Sequence, residues 1–151
     1  MNSMIWTPSV TVAGVIERDG KFLLIEEDAD GERVFNQPAG HWEQGETLIE
    51  ACAREVLEES ACRFEPRSLT GVYRWRSPRN GITYLRFAFC GEVVGFELGR
   101  QLDRDIVRAL WLAPEQIRAL EARHRSPLVM RCVDDYLAGR RYSLDLITDY
   151  A

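Results

Sequence analysis

A stretch in the first half of the chain, residues 37–62, restricts the possible folds more than any other part of the sequence. It begins with a Pro-Ala-Gly turn, continues through a polar loop and ends in a pattern rich in glutamate. Thr47 and Glu50 have the spacing of a capping box, and the apolar residues that follow recur at helical intervals. The pattern therefore predicts a helix that begins after Thr47 and follows closely on a tight turn.

Three glutamates on this predicted helix, Glu55, Glu58 and Glu59, occupy positions i, i+3 and i+4. This spacing puts their carboxylates on one helix face, where they repel one another unless a cation lies between them. Carboxylate oxygens are ligands suited to Mg²⁺ and Mn²⁺. We therefore expect a divalent metal site, with Mg²⁺ as the cofactor and Mn²⁺ as a substitute. The alternative is a solvated acidic helix face that binds nothing.

One arginine lies among these acids. Arg54 follows Glu50 by four residues and precedes Glu58 by four, while Glu46 lies just before the predicted helix. A guanidinium group can hold a carboxylate through two hydrogen bonds, so Arg54 is expected to orient a glutamate from a buried position. The alternative is an ordinary surface ion pair, which stabilises a helix by only about 0.3–0.5 kcal/mol.

The residues of this stretch resemble the signature of the Nudix hydrolase family, G-x5-E-x7-R-E-U-x-E-E-x-G-U. Gly40 and Glu46 match its first two defined positions, and the sequence REVLEE at residues 54–59 matches its charged centre. Ala61 stands where the signature has glycine, and Cys62 is a weak form of its bulky apolar end. These two departures concern the end of the helix more than the chemistry.

The resemblance implies an enzyme that cleaves phosphoanhydride bonds by attack of water on phosphorus, without a covalent intermediate. It implies that the metal is bound by carboxylates and by one backbone carbonyl: Ala39, Glu55, Glu58 and Glu59. It implies catalytic roles on the helix and in a later loop: Arg54, Glu58, Glu59 and Asp105. Gly40 and Glu46 are expected to shape the structure of the stretch that matches this signature, residues 40–62, which is called the box from here on. The sequence leaves open which carboxylate acts as the general base.

The later loop is expected to supply one further acidic group, since members of the family often supply one from this region. Asp103 and Asp105 are the candidates, and Asp105 is preferred because it lies six residues before Trp111. The preferred acid would complete the metal site or act as the general base. The alternative is a solvated loop acid. His41 and His124 are further candidates for acid–base chemistry, although isolated histidines more often have surface or structural roles.

Arginines and aromatic residues outside the box are candidates for substrate binding. The basic candidates surround a turn at residues 77–81 and would hold phosphates: Arg74, Arg76 and Arg79. The aromatic candidates would stack on a base: Trp42, Tyr73 and Trp75. The alternative is that the aromatic residues in strands belong to the core.

Strand and helix signals predict a mixed α/β sandwich formed by one domain, residues 1–151. An Asp-Gly pair separates strand-like runs at 10–17 and 21–26, which predicts an antiparallel hairpin. The other predicted strands lie at 34–37, 69–76, 82–93 and 106–112, and further helices at 114–122 and 127–139. The apolar tail, residues 142–150, is expected to dock. One helix in the middle and two near the end imply helices that flank a mixed sheet.

The length of 151 residues, with 46% hydrophobic and 28% charged residues, is sufficient for a single core. The formal net charge of −5 argues against nucleic-acid binding, so the expected partner is a small nucleotide or pyrophosphate. No stretch approaches a membrane span, and the N-terminus lacks a signal-peptide pattern. We expect a cytoplasmic protein, monomeric or homodimeric, whose four separated cysteines are reduced thiols.

Segments outside the box resemble one bacterial subfamily of Nudix hydrolases along nearly the whole chain. They include VTVAGVIERDGKFLLIEE and RSPLVMRCVDDYLAGRRYSLDLI. This resemblance implies activity on nucleoside di- and triphosphates and on the pyrimidine pyrophosphate precursor of thiamine. The main alternative is a nucleotide-binding or sensing module that has lost turnover, and a second is a structural domain that binds no metal.

Overall fold

The structure, a computed structural model, describes residues 4–150. The strands in this part of the chain are β1 (Ser9–Val15), β2 (Glu17–Arg18), β3 (Lys21–Ala29), β4 (Glu32–Asn36), β5 (Ala39–His41), β6 (Cys62–Arg76), β7 (Thr83–Phe96), β8 (Ile106–Leu112) and β9 (Tyr142–Ser143). The α-helices are α1 (Leu48–Ser60), α2 (Pro114–Ala119) and α3 (Leu128–Leu137), and 3₁₀ turns lie at Glu121–Arg123 and Leu144–Leu146. The predicted fold class, a mixed α/β sandwich, is confirmed.

The strands form two sheets. The larger sheet is mixed and has the order β5-β1-β7-β6-β9, in which β1 and β7 are parallel and the other neighbours are antiparallel. In the smaller sheet β2, β4 and β8 each pair with β3 in an antiparallel arrangement. The sequence does not reveal this division, because an alternating pattern identifies a strand but not its partner.

The first hairpin is shorter than the sequence predicts. Around the turn at Asp19 and Gly20, which both have positive φ, only β2 pairs with β3. Strand β1 instead enters the mixed sheet between β5 and β7. The Asp-Gly signal therefore located the turn, whereas the extent of pairing was decided by the contacts that β1 makes in the other sheet.

Two other elements differ from, or extend, the predictions. Strand β6 begins at Cys62, directly after α1, and not at residue 69 as predicted. The sequence did not reveal this start because Pro66 and the polar residues around it obscure a strand pattern that contains β-bulges. The apolar tail docks only in part: β9 pairs with β6 and Leu144 and Ile147 pack against the core, whereas Leu146 and Tyr150 are exposed. No helix in residues 4–150 is long and apolar enough to cross a membrane.

Two hydrophobic clusters fill the core on opposite sides of the mixed sheet. The first joins α1 to the sheet through Cys52, Val56 and Phe89. The second includes Ala88 of the sheet and joins it to β3 and α3. Because Ala88 and Phe89 are adjacent on β7, they point to opposite faces, and the sheet separates the two clusters. The four cysteines are free and buried, in agreement with the prediction of reduced thiols.

Helix α1 begins as predicted, but it ends in an unfavourable conformation. The Thr47 hydroxyl accepts from the Glu50 amide at 3.0 Å, and the Glu50 carboxylate accepts from the Thr47 amide at 2.8 Å. At the other end Ala61 is the C-cap and has a left-handed φ of 63°. Glycine adopts this conformation freely, whereas the Cβ of alanine disfavours it. The residue that departs from the box signature therefore lowers the stability of the helix end.

Ala61→Gly is expected to raise the free energy of unfolding by about 0.5–1 kcal/mol, because relief at a left-handed residue exceeds the loss of one buried methyl group. Denaturant unfolding measures this difference. The matched control is Ala138→Gly, since Ala138 caps α3 with a φ of −73° and should lose about 0.5–1 kcal/mol. Equal destabilisation by both substitutions would contradict the strain assigned to Ala61.

Candidate active site

Arg54 is the centre of the hydrogen-bond network that arranges the acidic residues. Its Nε and Nη2 donate to the two carboxylate oxygens of Glu46 at 2.9 and 2.7 Å. Nη1 donates to Glu55 at 3.1 Å and to Glu58 at 3.0 Å, and Nη2 also donates to the carbonyl of His41 at 3.0 Å. All five guanidinium N–H groups thus have acceptors. This geometry favours the orienting role over an ordinary surface pair.

Glu46 connects this network to the loop before α1. Its carboxylate also accepts from the amide of Glu43 at 2.9 Å, and its carbonyl accepts from the indole N–H of Trp42 at 2.7 Å. The hydrogen bond from Arg54 lowers the pKa of Glu46, so this residue remains a carboxylate. The predicted structural role of Glu46 is therefore consistent with its contacts.

Gly40 leaves space that a side chain would fill. A Cβ at this position would overlap the carboxylate of Glu55. Pairing of Gly40 with Val12 of β1 holds β5 in this position close to α1. Glycine is needed at this box position because the backbone of β5 approaches a carboxylate, whereas its φ is not in the left-handed region.

Three carboxylates converge beside Arg54. Glu55, Glu58 and Asp103 each bring an oxygen within 4.8 Å of the others. The amide of Asp103 donates to the carbonyl of Glu58 at 3.0 Å, which holds the later loop against α1. Hard oxygen donors in this arrangement fit a divalent cation such as Mg²⁺ or Mn²⁺. The acidic face of α1 is therefore more than a row of separate solvated side chains.

Asp103, and not the preferred Asp105, joins this cluster. Among the residues that the structure describes, Asp105 belongs to no such group, and its carbonyl accepts from the amide of Asp28 at 2.9 Å. The preference for Asp105 rested on its separation from Trp111. Sequence separation cannot show which side chain of a loop points towards a helix. The geometry favours Asp103 as the loop acid of the cluster, and a catalytic role of Asp105 stays a prediction.

Glu59 lies in a more buried position next to β5. Its carboxylate accepts from the amide of Ala39 at 2.8 Å, and the residue is 8% exposed. Burial raises the pKa of Glu59 to about 9, and the charge of Glu27 contributes to the increase. Burial also raises the pKa of Glu55 to about 7, although Arg54 opposes this shift. The site therefore has more negative charge than its own arginine neutralises.

Glu27 and Arg125 are neighbours of the site that the sequence did not indicate. Glu27 is buried on β3, and its carboxylate pairs with Nη1 of Arg125 at 2.9 Å. The backbone of Arg125 is held in place by a hydrogen bond to the carbonyl of Phe35 at 2.8 Å. No motif contains these residues, which are distant in sequence, so only the folded chain brings Glu27 near Glu59 and pairs it with Arg125.

The predicted substrate-binding residues of β6 do not share a face. Arg74 and Arg76 alternate with Tyr73 and Trp75, and alternate residues of a strand point to opposite sides. The ring of Trp75 stacks on Tyr84 with centroids 5.9 Å apart. The hydroxyl of Tyr73 is engaged by Asp135 in the interior. The arginines and the aromatic rings therefore cannot act as one cluster.

Arg79 and His124 make contacts away from the acidic cluster, whereas His41 contributes its backbone carbonyl to the Arg54 network. Arg79 pairs with Asp30 at 3.2 Å and with Glu32 at 3.6 Å. Within residues 4–150, no hydrogen bond or ion pair joins the three predicted phosphate-binding arginines to the acidic cluster. His124 donates from its ring to the carbonyl of Ile117 at 2.8 Å, which is a structural contact. Trp42 is 47% exposed, so stacking on a base stays a prediction for this residue.

Comparisons with known proteins relate this site to a family. The family model of the NUDIX domain matches residues 6–132. Phosphatase NudJ of Escherichia coli K12 is 40% identical over 147 residues, which cover 97% of this chain and 94% of that protein. A solved NUDIX hydrolase from Nitrosomonas europaea is 55% identical, with a TM-score of 0.94. The match covers 95% of this chain and 98% of the Nitrosomonas chain. A MutT protein from Methanosarcina mazei shares the fold at 20% identity, with a TM-score of 0.70. The match covers 90% of this chain and 99% of the Methanosarcina chain.

The metal-free protein is expected to lose stability as the pH rises from about 5 to 8. Folded Glu55, with a pKa of about 7, and folded Glu59, with a pKa of about 9, hold protons below these values that they release on unfolding; above pH 7 the effect comes mainly from Glu59. The free energy of unfolding then falls with pH, by up to about 1.4 kcal/mol per pH unit for each group. Denaturant unfolding in EDTA across this range measures the slope.

Glu59→Gln should flatten this pH profile, since the amide oxygen still accepts from Ala39 but no longer titrates. The control is Glu92→Gln on an exposed side chain, which should keep the wild-type slope. Parallel profiles for the wild type and the Glu59 variant would show that this carboxyl group is not the source of the effect.

Proposed function

The chain belongs to the Nudix family of hydrolases, and from this we propose that it is a Mg²⁺-dependent enzyme that hydrolyses nucleoside di- and triphosphates and small pyrimidine pyrophosphates. The substrate range includes the hydroxymethylpyrimidine pyrophosphate precursor of thiamine, and phosphate is released. Cleavage of a pyrophosphate bond follows from the family. The convergence of Glu55, Glu58 and Asp103 beside Arg54 is the observation that carries the metal dependence. A cytoplasmic location and a monomeric or homodimeric state belong to the same proposal.

The residues of this chain have distinct roles in the proposed reaction. Glu55, Glu58 and Asp103 would hold Mg²⁺, or Mn²⁺ as its substitute, and the carbonyl of Ala39 is proposed as a further ligand. Such a cation, when bound, polarises phosphoryl oxygens and lowers the pKa of water. Arg54 holds Glu55 and Glu58 in position through hydrogen bonds to both.

Glu59 is the proposed general base that takes the proton of the attacking water. It lies next to the three converging carboxylates but is not one of them, so its second oxygen is available to accept a proton. The amide of Ala39 fixes the first oxygen at 2.8 Å. Arg125, which pairs with Glu27, is the proposed cation for a phosphate group of the substrate.

A nucleotide-binding module without turnover is the alternative. A module that only binds has little need for three converging carboxylates, a buried fourth and an arginine with all of its donors used. A structural domain has even less need for them, since buried carboxylates with raised pKa values lower stability at neutral pH. Metal-dependent release of phosphate from a nucleotide separates catalysis from both alternatives.

Asp103→Asn is expected to lower kcat by about tenfold or more, whereas Asp105→Asn should change kcat by less than about threefold. The reason is that only Asp103 adds an oxygen to the acidic cluster, and the loss of a metal-site group typically costs 10- to 100-fold. Steady-state kinetics at saturating Mg²⁺ measures both variants, with thermal unfolding to show that each is folded. A larger effect at Asp105 would restore it as the functional loop acid.

Substrate discrimination is expected to be loose. Exposed aromatic rings recognise any base through its π-face, so several nucleoside tri- and diphosphates and pyrimidine pyrophosphates should have kcat/KM values within about tenfold of one another. The assay detects phosphate and pyrophosphate separately, and EDTA should abolish both signals. A thousandfold preference for one compound, or pyrophosphate as the sole product, would contradict the proposed substrate range.

A further inference from the structure

The chain crosses from one sheet to the other directly before the active site. Asn36 ends β4 in the smaller sheet, and Ala39 begins β5 in the mixed sheet. Only two residues join them, and this segment, residues 36–39, is called the crossing. The amide of Ala39 donates to the carboxylate of Glu59 at 2.8 Å. The path of the crossing therefore helps to set the position of the proposed general base.

Arg86 holds the crossing through two side-chain amides. It lies on β7 and is 5% exposed. Nη1 donates to the amide oxygen of Gln37 at 2.9 Å, and Nη2 donates to the amide oxygen of Asn36 at 2.9 Å. The amide nitrogen of Gln37 donates in turn to the carbonyl of Val129 on α3 at 2.8 Å. One guanidinium thus bridges two successive residues at the point where the chain leaves the smaller sheet.

The arrangement around Arg86 is costly for a group that only fills the core. Within the described part of the chain its partners are neutral, including the sulfur of Cys132 at 3.8 Å, and its Nε has no hydrogen-bond partner. A buried charge without a counter-charge is unfavourable, and apolar side chains of similar volume often stabilise a core as well or better. The planar guanidinium contributes geometry instead, because its two donors fix the separation of two acceptors.

We propose that Arg86 is a positioning residue of the active site, which acts through Gln37 on Ala39. Pairing with β1 fixes Ala39 along the edge of the mixed sheet, whereas Arg86 fixes the direction from which the chain enters β5. Pro38 between them has a fixed φ, so little rotation separates the two residues. The proposal rests on the proposed function, in which the carbonyl of Ala39 is a metal ligand and its amide holds Glu59.

Arg86→Met tests the proposal, because it removes both donors to the crossing. With CTP at saturating Mg²⁺, kcat should fall about tenfold or more while KM changes less than about threefold, since a displacement of about 1 Å at the reacting groups can cost up to about 100-fold in rate. Gln37→Met should cause a similar loss, and the double variant should lose no more than the larger single loss, because both substitutions break the same chain of contacts. Multiplied losses, or a wild-type kcat in folded Arg86→Met, would overturn the proposal.

Asp135→Asn is the matched control. Asp135 is 6% exposed on α3 and accepts from the hydroxyl of Tyr73 on β6 at 2.8 Å. It is therefore a buried polar contact between α3 and the mixed sheet that does not include the crossing. This substitution should lower the thermal unfolding midpoint, as Arg86→Met does, and leave kcat within about twofold of the wild type. An equal loss of kcat in the control would overturn the proposal, because general loosening of the core would then be the cause.

A measurement on the metal-free protein separates the positioning role from the reaction. In EDTA, the NMR resonance of the Ala39 amide proton should move upfield in Arg86→Met, because its hydrogen bond to Glu59 is weakened, and should stay unchanged in Asp135→Asn. Arg86→Lys replaces Arg86→Met if the latter does not fold, since one ammonium group cannot reproduce the planar fork.

An unchanged Ala39 resonance in the folded Arg86 variant would overturn the positioning role. A shifted resonance in this variant, together with a wild-type protein that hydrolyses no nucleotide, would refute the proposed function and still support the hold of Arg86 on the crossing.

Discussion

The guanidinium of Arg54 is the interaction on which the arrangement of the site depends. It contacts the loop through Glu46, helix α1 through Glu55 and Glu58, and β5 through the carbonyl of His41. These contacts bring acids from separate elements to one place and provide the positive charge that lets them stay close. Without this cation the same side chains would separate, and the convergence with Asp103 would be lost.

The buried carboxyl groups of the site lower the stability of the folded protein when no cation is bound. Burial holds the pKa values of Glu55 and Glu59 well above the usual range for carboxyl groups, so in the absence of a cation these groups favour their protonated forms. Gly40 permits this close arrangement because its backbone contacts the Glu55 carboxylate directly. A cation that neutralises the acids would therefore stabilise the fold and complete the site in the same step.

The mixed sheet separates two chemical environments. On the α1 side, carboxylates and Arg54 are suited to a metal and phosphates, while the other face carries aromatic rings, amides and the buried Arg86. Gln37 and Ala39 lie two residues apart and contact Arg86 and Glu59, respectively. One short segment thus contacts both environments.

Short-range sequence patterns were enough to predict the local features: the capped helix α1, its acidic face, the arginine among the acids and the positions of the turns. Each of these depends on residues within a few positions of one another, so spacing alone specifies them. The folded chain alone shows that Asp103 and not Asp105 meets the helix, that Glu27 lies near Glu59 and pairs with Arg125, and that Arg74 and Arg76 point away from Trp75. It also placed β1 in the mixed sheet and left Arg86 without a counter-charge. These outcomes depend on strand pairing and loop packing between distant residues, and no local pattern contains that information.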